Sequence, residues 1–137
     1  VPNLAGQQIA YLTNQITAFR DSKRANPMMS IQAKYLNDDE INNLASYFAS
    51  RKTKRTDDKA PLATSGATKA TQCTGCHTAT FGGRGAIPKL AGQHSAYLTK
   101  QLHSFKTGER KSGPMQAITA NLSDTDIDQL ATFLGSL

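Results

Sequence analysis

Apolar residues recur along this chain at helical spacing, and strand-like alternation is absent. Leu98, Leu102 and Phe105 fall at i, i+4 and i+7, with Ala91 and Tyr97 nearby, which predicts a helix from about Gly92 that Gly108 can end. Ser123, with Asp126 three positions on, has the form of an N-cap with an acidic first turn. Ile127, Leu130, Ala131 and Leu134 then make the apolar stripe of a terminal helix. The same arrangement stands near the N-terminus. Tyr11, Leu12, Ile16 and Phe19 make one stripe; Asn37 is a cap with Glu40 three residues on; Ile41, Leu44, Ala45 and Phe48 make another. Residues 62–72 (LATSGATKATQ) are small-residue helix material in which Gly66 leaves room for another helix to cross, and residues 81–85 (FGGRG) are predicted as loop. The fold class is all-α.

The two halves resemble one another because the chain is duplicated. Residues 1–51 align without a gap onto residues 87–137 at an offset of 86, with 19 of 51 positions identical, among them Pro2 with Pro88, Leu4-Ala5-Gly6-Gln7 with Leu90-Ala91-Gly92-Gln93, Tyr11 with Tyr97, Phe19 with Phe105 and Met29 with Met115. A single repeat at so long a period is a duplicated domain, not a solenoid. Between the copies, residues 51–61 (RKTKRTDDKAP) hold almost nothing apolar. The organisation predicted is a first copy over residues 1–51, a linker over 52–61 and a second copy, with its own N-terminal helix, over 62–137. A length of 137 residues has room for one ordinary domain or two very small ones.

Composition narrows the chemistry mainly by exclusion. No apolar run approaches the roughly 20 residues that cross a bilayer. The opening VPNLAGQQIA has neither the basic nor the apolar segment of an export signal, so any such signal is expected to have been removed or never present. A net charge of +6 and a pI near 9.5 would suit nucleic acid, but no Arg/Lys stripe is interleaved with aromatics and there is no Trp. Nucleic acid is therefore not an expected partner. The basic residues Arg51, Lys52, Lys54 and Arg55 are expected to be a solvated linker, with a docking patch as the alternative.

The two cysteines carry the sharpest signal. They stand three apart in Cys73-Thr74-Gly75-Cys76-His77, the Cys-x-x-Cys-His spacing of c-type haem attachment. Two thiols three residues apart on one helical turn can reach the two vinyl groups along one side of a porphyrin, and the adjacent His77 is then carried under the ring. A zinc site needs about four ligands, and only His94 and His103 remain, nine residues apart. A thioredoxin-like dithiol would need a βαβ context, for which there are no strand signals. Tyr97, Leu98, Leu102 and Ile118 could wall a haem or fill the core. His94 and His103 are expected at the surface, with rival axial ligation as the lesser reading.

CTGCH, then IPKLAGQ beginning ten residues after His77, AYLTKQL, FKTGER, GPM and the closing LSDTDIDQLATFL together resemble a class I cytochrome c domain, specifically the small domains of the cytochrome c4 family. Members of that family are periplasmic dihaem electron carriers with two such domains in tandem. The resemblance implies a small helical domain around haem c, held covalently by Cys73 and Cys76. It implies His77 as proximal and Met115 as distal ligand, Pro88 as acceptor from the other nitrogen of His77, and Leu90, Tyr97, Leu98 and Ile118 at the haem. Two axial ligands leave no open iron position, which points to single-electron transfer between redox proteins (an oxidase, reductase or dehydrogenase) and not to an enzyme. The expected location is the periplasm, with peripheral membrane association possible. A dedicated dehydrogenase subunit is the alternative, and a catalytic or sensory haem a more distant one.

The departure from the family lies at the start, where the first copy lacks a counterpart to residues 60–86 and so to the whole Cys-x-x-Cys-His. Either the chain begins partway through a longer protein or the first domain is a haem-free remnant. The loop of Asn26, Pro27, Met28 and Met29 keeps the form of a ligand loop and favours the former, with Met29 a ligand only if a first haem exists.

Overall fold

The computed structural model describes residues 1–53 and 64–137. The first copy folds into α1 (Ile9–Arg20), α2 (Pro27–Ala33) and α3 (Asp38–Ala49). The second opens with α4 (Thr64–Ala70), passes through a 3₁₀ turn (Thr71–Cys73) into the single-turn α5 (Thr74–His77), and continues with α6 (Ser95–Lys106), α7 (Gly113–Thr119) and α8 (Asp124–Gly135). Adding the repeat offset of 86 to the bounds of α1, α2 and α3 gives those of α6, α7 and α8. Among the described residues there is no strand, and an isolated bridge joins Arg84 and Ile87.

Local chemistry sets the ends of the long helices. Asn37 Oδ1 accepts from the Glu40 amide and Glu40 Oε2 from the Asn37 amide, both at 2.9 Å, a complete capping box at the head of α3. Ser123 and Asp126 close the equivalent box on α8 at 3.1 and 2.9 Å. Each cap stabilises its helix by about 1 kcal/mol. Gly108, at φ +77°, follows the C-cap of α6 as predicted. The start of α6 differs from the expectation: Gly92 sits at φ +71° in a turn and donates its amide to Leu134 O, so the helix begins at Ser95.

The core of the second copy lies where α8 crosses α4 and α6. Leu130, Ala131 and Leu134 are buried with Ala70, Phe81 and Leu98, and Phe133 stacks edge-on to Phe81 at 5.9 Å. Gly66 is the crossing point, since a Cβ there would come within 2.9 Å of Phe133 Cβ. An ion pair between Lys69 and Asp126 ties α4 to the head of α8.

In the first copy α3 packs on α1, but the offset leaves α4 and α5 without counterparts within residues 1–51. Leu44 is consequently 36% exposed where its equivalent Leu130 is 2% exposed, and Tyr47 is 52% exposed. With Leu36, Glu40 and Asn43 these two residues line an open groove. The predicted linker, residues 52–61, falls almost wholly outside the described residues, as do Lys54, Arg55 and the first two positions of the predicted 62–72 helix. Thr53, just before that stretch, donates its hydroxyl to Ala5 O at 2.8 Å.

Candidate haem site

His77 is the last residue of α5 and is buried, at 6% exposure. Thr78, at φ +70°, ends the helix abruptly, and the chain doubles back: the Phe81 amide donates to Thr78 O and the Gly83 amide to His77 O, each at 3.0 Å. Arg84 and Ile87 exchange backbone hydrogen bonds of 2.9 Å, which returns the chain over the imidazole and places Pro88 O 2.9 Å from His77 Nδ1. The ring thus donates from Nδ1 and keeps Nε2 as a free lone pair. Burial pushes the His77 pKa below its usual value, opposed in part by the Pro88 hydrogen bond, so the imidazole is held in its neutral, ligating form.

Gly83 is a site residue that sequence reasoning missed. Its φ is +72°, and a Cβ would stand 2.5 Å from both Ile87 O and Lys89 N, against the backbone that carries the Pro88 carbonyl. The available signal was the Gly82-Gly83 pair, which marks a tight turn without saying what it touches.

The thiols lie on the turn ahead of His77. Cys73 is half-buried and Cys76 exposed, both unpaired; burial raises the Cys73 pKa, with a smaller contribution from Cys76, and keeps it a thiol. Gly75 between them faces open space, with nothing within 4 Å of where a Cβ would stand. Across the copy, Leu90 and Leu102 are half-buried against the core and Leu98 is buried. Met115 is half-buried on α7, where Thr119, fully buried, donates to its carbonyl at 2.8 Å. Ile118 is 40% exposed. The methionine segments differ from the expected loops: Met29 and Met115 sit in the first turns of α2 and α7, because Asn26 and Ser112 are extended N-caps and Pro27 and Pro114 stand at the start of each helix.

The Tyr97 hydroxyl accepts from Arg24 of the first copy at 3.1 Å. His94 precedes α6 and His103 lies in its last turn, both partly exposed. Met29 is 36% exposed, and the first copy contains no His or Cys to face it. Among the described residues no group of three or more His, Cys, Asp or Glu could hold a metal ion. A neutral imidazole with its second nitrogen anchored, two free thiols on the preceding turn and a half-buried thioether are donors that fit haem c, and they do not fit a protein-only metal cage.

The cytochrome c family profile matches residues 63–137. Cytochrome c4 of Pseudomonas aeruginosa is 33% identical over 99% of this chain and 75% of its own length. The thiosulfate dehydrogenase electron acceptor of Stutzerimonas stutzeri is 32% identical over 99% of this chain and 70% of its own. The solved cytochrome c4 of Acidithiobacillus ferrooxidans superposes with a TM-score of 0.90 at 32% identity, covering 100% of this chain and 88% of that one. Haem c is accordingly the cofactor, and transfer of electrons to and from redox partners the activity. On its sequence and its fold alike, the chain belongs to the cytochrome c family, among the c4 cytochromes.

Proposed function

We propose that residues 62–137 form the electron-carrying domain, in which Cys73 and Cys76 would hold the haem through thioethers and His77 and Met115 would ligate its iron. The observation that carries this reading is the 2.9 Å contact of His77 Nδ1 with Pro88 O beneath a buried, neutral ring. When bound, haem c supplies a one-electron iron couple in an apolar setting. The residues do the rest. Cys73 and Cys76 would hold the group through thioethers, each S–H adding across a vinyl so that no oxidant or leaving group is required. With His77 Nε2 and Met115 Sδ both ligating the iron there would be no position left for substrate, which supports an electron carrier over an enzyme. A thioether ligand favours the ferrous state relative to two imidazoles. Leu90, Leu98 and Ile118 would shield the bound group from water, and Pro88 fixes the imidazole plane through its bond to Nδ1. Residues 1–51 are an incomplete first domain and residues 52–61 the linker. Met29 would be a ligand only toward a second haem attached by sequence outside these residues.

Covalent haem attachment takes place outside the cytoplasm, and the periplasm is the proposed location; among the described residues no helix is long and apolar enough to cross a membrane. Replacing Met115 by Ala tests the ligand set. The far-red sulfur-to-iron band of the ferric protein should vanish and the potential fall; a band that survives would assign the sulfur ligand to Met28 or Met29, and a band absent from the unsubstituted protein would return His94 or His103 to consideration.

A second reading is favoured by the relative named as a thiosulfate dehydrogenase electron acceptor: service to one dedicated dehydrogenase, docked through the first copy. Co-purification with such an enzyme at stoichiometric yield separates it from a freely diffusing carrier. Carbon monoxide binding by the reduced protein would instead indicate a catalytic or sensory haem.

A further inference from the structure

The first copy reaches across to the backbone that supports His77. Gln7, 7% exposed, accepts from the Lys89 amide through Oε1 at 2.7 Å and donates to Lys89 O through Nε2 at 3.0 Å. The Lys89 N–H and the Pro88 C=O belong to one peptide group, and that carbonyl accepts from His77 Nδ1 at 2.9 Å. The result is a continuous chain: Gln7 Oε1, the Pro88–Lys89 peptide, the His77 imidazole. Gln8 Nε2 adds a 3.0 Å bond to Gly82 O, on the other side of the same loop.

The repeat supplies an internal comparison. Gln93, the counterpart of Gln7, is 6% exposed and makes the same two bonds to Asn3 of the first copy, at 2.6 Å from the Asn3 amide and 2.9 Å to Asn3 O. That bond pulls on the Pro2–Asn3 peptide, and residues 1–51 contain no histidine for the Pro2 carbonyl to hold.

We infer that Gln7 is a positioning residue for electron transfer: it polarises the Pro88–Lys89 peptide and thereby tunes the haem potential from the first copy. Hydrogen bonds in series strengthen one another, by about 10–30% per bond. An acceptor on the Lys89 N–H makes the Pro88 carbonyl more negative. The carbonyl then draws harder on the Nδ1 proton, raises the basicity of Nε2 and favours the ferric iron. Removing the Gln7 amide should therefore raise the potential, while removing Gln93 loosens the same interface by two equivalent bonds without touching this chain.

The inference rests on His77 being the proximal ligand, as proposed above, and the experiment separates the two. Gln7→Leu and Gln93→Leu are prepared as holoproteins and titrated against a redox buffer, with the far-red band as the reporter of intact ligation. With the band retained in both, Gln7→Leu should shift the oxidised-to-reduced ratio about twofold toward reduced at a fixed applied potential, and Gln93→Leu should leave it in place. An equal shift from both, no shift from Gln7→Leu, or a shift toward oxidised overturns the inference; loss of the band in the unsubstituted ligand set would instead count against the proposed ligation. Coupling is reciprocal, which gives a measurement on the unsubstituted protein should Gln7→Leu fail to fold. Protection of the Lys89 amide against hydrogen exchange should be greater in the ferric than in the ferrous state, and equal protection in the two states is an overturning result.

Discussion

Arg24 and Arg110 each donate to both Gln15 and Gln101, so that the two copies are bonded through residues that the repeat itself makes equivalent. Arg24 lies 2.7 Å from Gln15 Oε1 and 2.8 Å from Gln101 Oε1; Arg110 lies 2.6 Å from Gln101 Oε1 and 2.8 Å from Gln15 Oε1. Each guanidinium also donates across the interface to a tyrosine hydroxyl, Arg24 to Tyr97 and Arg110 to Tyr11, and each stacks on the phenylalanine of its own copy at 4.6 Å. This is an interface with approximate two-fold symmetry, of the kind an isologous dimer makes between identical chains. Shortening Gln15 to Ala strips an acceptor from both cations at once and should destabilise the protein by about 1–3 kcal/mol. Thermal denaturation of Gln15→Ala, Arg110→Ala and the double variant checks this. The second substitution should cost less in the first background than alone, and simple additivity would show that the four side chains do not act as a unit.

Gly83 and Gly85 make a paired test of how the His77 loop is held. Both have positive φ, +72° and +55°, but a Cβ at Gly83 meets the Pro88 and Lys89 backbone whereas at Gly85 nothing lies within 4 Å. Gly85→Ala should cost about 1 kcal/mol, the left-handed penalty alone. Gly83→Ala should cost more and should also move the potential, because the displaced atoms carry the acceptor for His77 Nδ1. Equal losses of stability in the two variants would show that the loop gives way without disturbing Pro88.

Much of this was legible in the chain, and the parts that were not share a cause. The capping boxes at Asn37 and Ser123, the crossing at Gly66 and the helical stripes are local patterns, set by residues three or four apart, and the structure places them as expected. The Pro88 acceptor was reached only through the family resemblance, and the structure puts it at 2.9 Å from His77 Nδ1. What escaped were contacts across long sequence separations with no periodic signature: Gln7 on Lys89, 82 residues away, and Arg24 on Tyr97, 73 away. The methionine segments escaped for a different reason. Proline before or beside a methionine suits a loop and the first turn of a helix equally, and the extended N-caps at Asn26 and Ser112 decide for the helix.

Acid should attack the joint between α4 and α8 through Asp126. Its carboxylate is held well below the ordinary range, first by Lys69 and then by the Ser123 amide and hydroxyl. A carboxyl with a depressed folded pKa contributes stability above its unfolded value of about 3.9 and loses it as pH falls through the lower folded value. Stability between pH 5 and 8 should therefore not depend on this group, and the loss should begin only below about pH 4. Asp126→Asn should lower the Tm at neutral pH and flatten that acid limb; an unchanged acid limb would place the acid-sensitive step elsewhere.

Charge should steer the partners. The formal net charge is +6, and two ionised haem propionates would leave about +4, enough to raise encounter rates with acidic partners within a Debye length of about 8 Å. Second-order electron-transfer rates with an acidic redox protein should fall as salt increases from low to physiological strength. A flat or rising profile would point to docking through apolar contacts instead, for which the 40% exposed Ile118 is a candidate.

The first copy should not fold alone. Its α1 and α3 bury Leu12, Phe19, Ile41 and Ala45 against one another, but among the described residues no helix lies across from Leu44 and Tyr47 on α3, and Met28, Ile31 and Tyr35 are more than two-thirds exposed, at 74%, 71% and 84%. A segment this short buries only about 60% of its unfolded surface even when its core is complete, and this one also relies on Gln93 for the Asn3 backbone and on Arg110, Tyr97 and Gln101 for the polar side of α1 and Arg24. A fragment of residues 1–53 should accordingly show little helical circular dichroism and no cooperative melt, while the same residues in the intact holoprotein unfold together with the second copy in one transition. A cooperative melt of the isolated fragment would mean that the α1–α3 contact is sufficient by itself, and that the interface built on Gln7, Gln93 and the two arginines joins independent units without stabilising the first.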